Sequence, residues 1–134
     1  MNEQSESELE KRIDAIESAY EFMLAYAAQG RDSDAGSGAG ASELRNFLNA
    51  MDSALDGLGE AISTIASEKN STAAKDAAEF LQAIDEDARR ARGIVRLVLA
   101  QDGISSQLID NVNGSIHLRA LLTDLFVIDE ALKT

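Results

Sequence analysis

The chain has 134 residues, of which 24 are acidic and 12 basic, and its formal net charge is −12. It contains one histidine and no cysteine, proline or tryptophan. The lack of cysteine excludes disulfides, thiolate nucleophiles and iron–sulfur clusters, and a single histidine excludes metal sites that need a histidine pair. The negative charge argues against nucleic acid and anionic membranes as partners, because both attract lysine and arginine.

Length and hydropathy indicate one folded domain over residues 1–134, since 45% of the residues are hydrophobic and the chain can bury a core. The acidic start lacks the features of a signal peptide, and no apolar run reaches the roughly 20 residues of a membrane span. We therefore expect a cytoplasmic protein whose residues 1–6 are disordered. Residues 1–87 carry 19 acids and 6 bases, whereas residues 88–134 carry 5 acids and 6 bases. Most of the negative charge thus lies in the first part of the chain.

The first predicted helix has an apolar seam whose members recur every three or four residues: Leu9, Ile13, Ile16, Tyr20, Met23 and Ala27. Charged residues occupy its other faces: Glu10, Lys11, Asp14, Glu17 and Glu21. Gly30 stands where a left-handed residue commonly ends a helix.

Residues 31–41 have no apolar periodicity and are rich in glycine, serine and aspartate. Asp32, Asp34 and Glu43 have the spacing of positions 1, 3 and 12 of an EF-hand calcium loop. Ser37, however, occupies the position that requires glycine for the sharp turn. We interpret the segment as a flexible Gly/Ser loop without a metal ion.

Two further helices follow from equally regular seams. The second is predicted as one helix through Leu44, Leu48, Met51, Leu55, Leu58, Ile62 and Ile65. The third contains Ala77, Leu81, Ile84, Ala88, Ala91, Val95 and Val98, and Asp102-Gly103 ends it.

The fourth predicted helix has a weak centre. Its apolar residues are Leu108, Val112, Leu118, Leu122, Leu125, Ile128 and Leu132. Residues 110–115 are poor helix formers, so we expect a kink or a break near Asn113-Gly114. Short connections place successive helices antiparallel, and the sequence therefore predicts an up-down-up-down four-helix bundle.

An arginine stripe on the third helix is a candidate anion site. Arg89 has Asp85 one turn before it, but Arg92 has no acidic partner on its own helix. A hairpin about Gly103 would bring Arg89 and Arg92 level with residues 114–117. If the fourth helix breaks there, Ser115 becomes an N-cap, and the new helix start with His117 would suit a phosphate or carboxylate. The alternative is ion pairing between helices, as from Arg96 to Asp110, with the other arginines solvated.

His117 also allows a histidine phosphotransfer role, which needs an exposed imidazole near a basic side chain. Such domains typically have lysine three residues after the histidine and then glycine. Here those positions are Ala120 and Leu121, and the nearest base is Arg119. A hydrogen-bonded, partly buried histidine is the simpler interpretation.

The last helix has more apolar residues than one seam requires, and Leu121, Phe126 and Val127 are the surplus. A broad stripe can pack against two neighbouring helices, or it can be covered by a second molecule. We take these three residues as candidate interface residues.

No P-loop, nucleophile elbow or metalloprotease motif is present in the sequence. We expect no enzyme activity and no cofactor. The leading hypothesis is a non-enzymatic protein-interaction module: an acidic bundle, homodimeric, that serves as an adaptor, assembly factor or regulator. The alternatives are a bundle that binds a small anion through Arg89, Arg92, Ser115 and His117, and a phosphotransfer protein.

Overall fold

The computed structural model describes residues 3–35, 43–69 and 75–132. Within these ranges the chain is all-α, with six helices and no strand. The helices are α1 (Glu3–Ala27), α2 (Glu43–Leu55), α3 (Leu58–Lys69), α4 (Ala78–Leu99), α5 (Ser106–Asn113) and α6 (Ile116–Leu132). The expected all-α class is confirmed. The sequence predicted four helices, whereas the described residues form six.

Helix α1 begins earlier than the sequence suggests. Residues 3–6 belong to it, although we expected residues 1–6 to be disordered. Its buried side chains include Ala19 and Tyr26 in addition to most of the predicted seam. Gly30 has a positive φ of 68°, as expected of the residue that ends this helix. Residues 36–41 of the predicted loop lie outside the described part of the chain.

The predicted second helix is divided into α2 and α3 by a break at Asp56-Gly57. Gly57 has a φ of 79°, a conformation that favours glycine because it has no Cβ. Arg12 of α1 donates from Nη1 to the carbonyl oxygens of Ala54 at 2.9 Å and Asp56 at 2.6 Å. A cation therefore satisfies the free carbonyls at the end of α2.

A second break separates α5 from α6, at the position where the sequence predicts one. Ser105 caps the start of α5 by accepting a hydrogen bond from the Leu108 amide at 3.0 Å. At the end of α5, the Asn113 side chain is buried and donates to the carbonyl oxygen of Met23 at 3.1 Å. The break therefore also anchors α5 to α1.

The helices surround one hydrophobic core. Helix α1 packs against α2, α3 and α5, while α4 packs against α2, α3 and α6. Fully buried large side chains come from all six helices and from the 100–105 segment; they include Ile16, Tyr26, Leu48, Ile62, Ile84, Ile104, Ile109 and Leu121. Among the described residues, no helix combines the length and the apolar character that crossing a membrane requires.

Candidate functional site

The arginines of the predicted anion site bind carboxylates of the protein itself. Arg92 Nε lies 2.7 Å from Asp52 Oδ1, and its Nη1 lies 3.2 Å from Asp56 Oδ1, both on α2 or at its end. Arg96 shares Asp52 at 3.3 Å. The hydrogen bond to Asp52 raises the pKa of Arg92 above its ordinary value. Arg89 pairs with Asp85 at 3.1 Å, as its spacing predicts.

The other two residues of that candidate site lie at the start of α6. Ser115 Oγ accepts a hydrogen bond from the His117 amide at 3.2 Å, and the His117 residue is exposed. Within the described part of the chain, no hydrogen bond or ion pair joins Arg89 or Arg92 to Ser115 or His117. The structure thus supplies a partner for Arg92 on α2, and the predicted anion site loses the unpaired cation on which it was based.

The candidate interface residues separate into core and surface. Leu121 is completely buried, because it lies on the same seam as Leu118 and Leu125 and faces the interior. The prediction that Leu121 is an interface residue is therefore corrected, since Leu121 belongs to the core. Phe126 and Val127 are exposed by 59% and 52%.

A polar cluster at one end of the molecule was not predicted. Asp34 is 8% exposed and accepts hydrogen bonds from Arg45 Nε at 2.6 Å and from the Ile104 amide at 2.8 Å. Arg45 also donates to the carbonyl oxygens of Leu99 and Gln101, at 3.0 and 2.7 Å. Burial raises the pKa of Asp34, but the hydrogen bonds from Arg45 and Ile104 outweigh it and hold that pKa below its ordinary value.

This cluster gives residues 31–35 contacts with distant parts of the chain, although the sequence predicts a flexible loop there. The Tyr26 hydroxyl donates to the Ile104 carbonyl at 2.6 Å, and Ser106 Oγ donates to the Tyr26 carbonyl at 2.7 Å. The Ser106 amide in turn donates to the Arg31 carbonyl at 2.8 Å. The end of α1, the start of α2 and the α4–α5 connection are thereby tied together, which gives Asp34 a structural role.

Two carboxyl groups, Asp87 of α4 and Asp124 of α6, meet where these helices pack. The Oδ2 atom of Asp124 is buried and has no hydrogen-bond partner among the described residues. Burial and the neighbouring Asp87 raise the pKa of Asp124 to about 7. The Arg90 guanidinium lies 3.4 Å from Asp87 and forms an ion pair with it.

A cleft runs between α1 and α6, which do not pack closely against each other. It consists of two adjoining hollows of about 420 and 470 Å³ that share Glu17. Its carboxylates are Glu6, Glu10, Asp14, Glu17, Glu21 and Asp129, and its single basic residue among the described ones is Arg119. Its apolar residues are Leu9, Ile13, Tyr20, Ile65, Leu122, Phe126 and Leu132. We call this surface the α1–α6 cleft.

Comparisons with protein-family models, with curated proteins and with solved structures found no match to this chain. Functional inference therefore rests on the chemistry of the surfaces described above. The described residues also contain no group of three or more histidine, aspartate or glutamate side chains placed to hold a metal ion. The carboxylates of the α1–α6 cleft are spread along a helix instead of converging on a point.

Only the acidic side of the α1–α6 cleft could be predicted from the sequence. Glu10, Asp14, Glu17 and Glu21 are spaced by four, three and four residues and so lie along one side of α1. That regularity was visible in the sequence, but it has the form of an ordinary solvated face. What the sequence did not indicate is that α6 stands opposite with an apolar residue, Phe126, beside this row.

Proposed function

We propose that the chain is a non-enzymatic protein-interaction module, an acidic helical bundle that serves as an adaptor, assembly factor or regulator. In this proposal the protein is a homodimer, and its contact surface is the outer face of α6, the side that carries Ile116 and Val127. The contacts of Arg92 give no support to the small-anion alternative. His117 is exposed as phosphotransfer requires, but Ala120 and Leu121 stand where such a site has lysine and glycine.

The observation that carries this proposal is the distribution of exposed apolar side chains. Five large ones occur among the described residues, and three of them lie on α6: Phe126 lines the α1–α6 cleft, whereas Ile116 and Val127 do not. Ile116 and Val127 are eleven residues apart, which is close to three helical turns, so they project to the same side. Single exposed apolar residues are ordinary, whereas three of them on one helix of 17 residues favour a contact surface.

The bundle topology is part of the same proposal. We infer that α2 with α3, and α5 with α6, are two interrupted helices of an up-down-up-down four-helix bundle completed by α1 and α4. The short breaks support this inference, since each separates consecutive helices by only two residues. The packing of α1 and α4 against both α2 and α3 supports it as well.

The test is self-association measured by sedimentation velocity and native mass spectrometry over about a hundredfold range of concentration. We expect a dimer, and Val127→Glu should give a folded monomer, because it places a charge in the apolar contact. Leu97→Glu is the matched control, since Leu97 is 62% exposed on α4 and its substitution should leave the dimer intact. A wild-type protein that stays monomeric at every concentration, or equal effects of the two substitutions, would refute the homodimer.

A further inference from the structure

The α1–α6 cleft has a chemical character that points to a class of partner. Four of its carboxylates, Glu10, Asp14, Glu17 and Glu21, follow α1 for about 16 Å at 1.5 Å per residue. Within the described part of the chain, none of these four forms an ion pair with a basic side chain. The row therefore presents negative charge that the fold itself does not neutralise.

The carboxylates repel one another. Burial raises the pKa of Glu17, and the neighbouring Asp14, Asp129 and Glu21 raise it further. Crowding of like charges is unfavourable in the free protein, and a cation placed along the row would relieve it. Because the row is linear and no three of the described acidic groups converge on a metal position, the complementary ligand is a row of cations rather than a metal ion.

Apolar side chains lie beside this row in the hollow that also contains Arg119 and Thr123 of α6. Phe126 of α6 is 59% exposed, Tyr20 of α1 is half-buried, and the buried Leu122 of α6 also lines this hollow. Apolar surface beside a charged row at helical spacing is the arrangement by which grooves bind amphipathic helices, whose apolar face enters the groove while the charged face meets the rim.

We propose that the α1–α6 cleft binds a basic amphipathic helix of a partner protein, with its apolar side against Phe126, Tyr20 and Leu122 and its lysines or arginines along Glu10, Asp14, Glu17 and Glu21. This inference rests on the proposed interaction function and names the partner class. A second copy of this chain does not fit the cleft, because its arginine-rich helix, α4, is packed against α2, α3 and α6 and its Arg89, Arg92 and Arg96 are already paired.

The experiment measures the binding of a fluorescent helical peptide of about 18 residues, made of leucine at helical spacing and lysine, by anisotropy at physiological salt. A scrambled peptide of the same composition keeps the charge and loses the amphipathic face. We expect the helical peptide to bind and the scrambled one to bind at least about tenfold more weakly. Equal affinity of the two peptides, or no binding of the helical peptide, would overturn the proposal.

Matched variants separate the cleft from the overall charge. Asp14→Asn with Glu17→Gln should weaken peptide binding about tenfold, since two ion pairs are lost. Asp110→Asn with Glu86→Gln removes the same two charges from exposed positions on α5 and α4 and should change affinity less than about twofold. Equal weakening by both pairs would show generic attraction to a protein of charge −12 and would refute the cleft.

Failure of peptide binding and failure of homodimer formation can be distinguished experimentally. Val127 does not line the cleft, so Val127→Glu should abolish self-association and leave peptide binding unchanged. Phe126→Ser should weaken peptide binding because Phe126 lines the apolar wall. A dimer that fails to bind the peptide refutes only the cleft, and a monomer that binds it refutes only the homodimer.

Discussion

Replacing Asp124 by asparagine should stabilise the protein at alkaline pH and not at acidic pH. In its ionised form Asp124 has a buried oxygen without a donor and lies beside Asp87, which also carries a negative charge. In its protonated form, or as an amide, the same side chain can donate a hydrogen bond to Asp87. The substitution therefore mimics the protonated state at every pH.

The pH window follows from the raised pKa of Asp124. Between the ordinary aspartate value of 3.8 and about 7, the folded protein holds a proton that the unfolded chain has released. Folding stability therefore rises as the pH falls from about 7 towards 4, and the contribution is lost as the pH rises through the folded-state pKa. The shift corresponds to about 4 kcal/mol as an upper bound, and partial solvent exposure reduces our expectation to about 1–2 kcal/mol.

The assay is urea unfolding of the wild type, Asp124→Asn and Asp110→Asn between about pH 5 and pH 8. Asp124→Asn should exceed the wild type by about 1–2 kcal/mol at the alkaline end, equivalent to a few degrees in melting temperature, and by little at the acidic end. Asp110 is exposed on α5, so its substitution should have a small effect that does not change with pH. A difference between Asp124→Asn and wild type that is constant across the range would refute the reasoning.

Three further predictions concern packing, the polar cluster and the anion site. An added Cβ at Gly59 would lie 2.6 Å from the nearest side-chain oxygen of α4, so Gly59→Ala should lower the free energy of unfolding by about 1–3 kcal/mol. At Gly93 nothing lies within 4 Å of an added Cβ, so Gly93→Ala should raise the free energy of unfolding by about 0.5–1 kcal/mol. Thermal unfolding measures both effects. Arg45→Met should lower the free energy of unfolding in urea by about 2–3 kcal/mol, because it leaves the buried Asp34 carboxylate without its ion-pair partner. The double variant with Asp34→Asn should recover part of that loss. No recovery in the double variant would contradict the pairing. Phosphate at constant ionic strength should shift the melting temperature of the wild type and of Arg92→Ala equally. A shift that is lost only in the variant would support the predicted anion site.

The helical segments could be predicted because their apolar residues repeat at helical spacing, and the second break could be predicted because Asn113-Gly114 disfavours a helix locally. The break at Gly57 could not. The apolar seam continues from Leu55 to Leu58 and beyond, and both residues are buried in the structure. Periodicity therefore passes through this break unchanged. Only the structure shows the cause of the break. Gly57 has a left-handed backbone conformation, and the neighbouring Asp56 carbonyl accepts a hydrogen bond from Arg12 of a distant helix.

The partners of charged residues were harder to predict than the helices that carry them. The register of a helical hairpin determines which residues of its two helices lie at the same height along the axis. It does not determine which neighbouring helix a particular side chain faces. Arg92 was level with the α5–α6 break by that reasoning, yet it turns towards α2 and binds Asp52. The pair of Asp34 and Arg45 spans a segment with no periodicity, so nothing local in the sequence indicated it.

The ion pairs of the arginines determine which carboxylates of this acidic protein are neutralised within the fold. Six arginines among the described residues form ion pairs: Arg12, Arg45, Arg89, Arg90, Arg92 and Arg96. Most of these pairs lie on α4, on its contact with α2 or at helix ends, so the carboxylates there are neutralised locally. The row on α1 receives no such partner, and its four carboxylates lie beside exposed apolar surface. A charge spread for solubility would have no reason to collect there, whereas a surface selected for a cationic, amphipathic partner requires both features side by side.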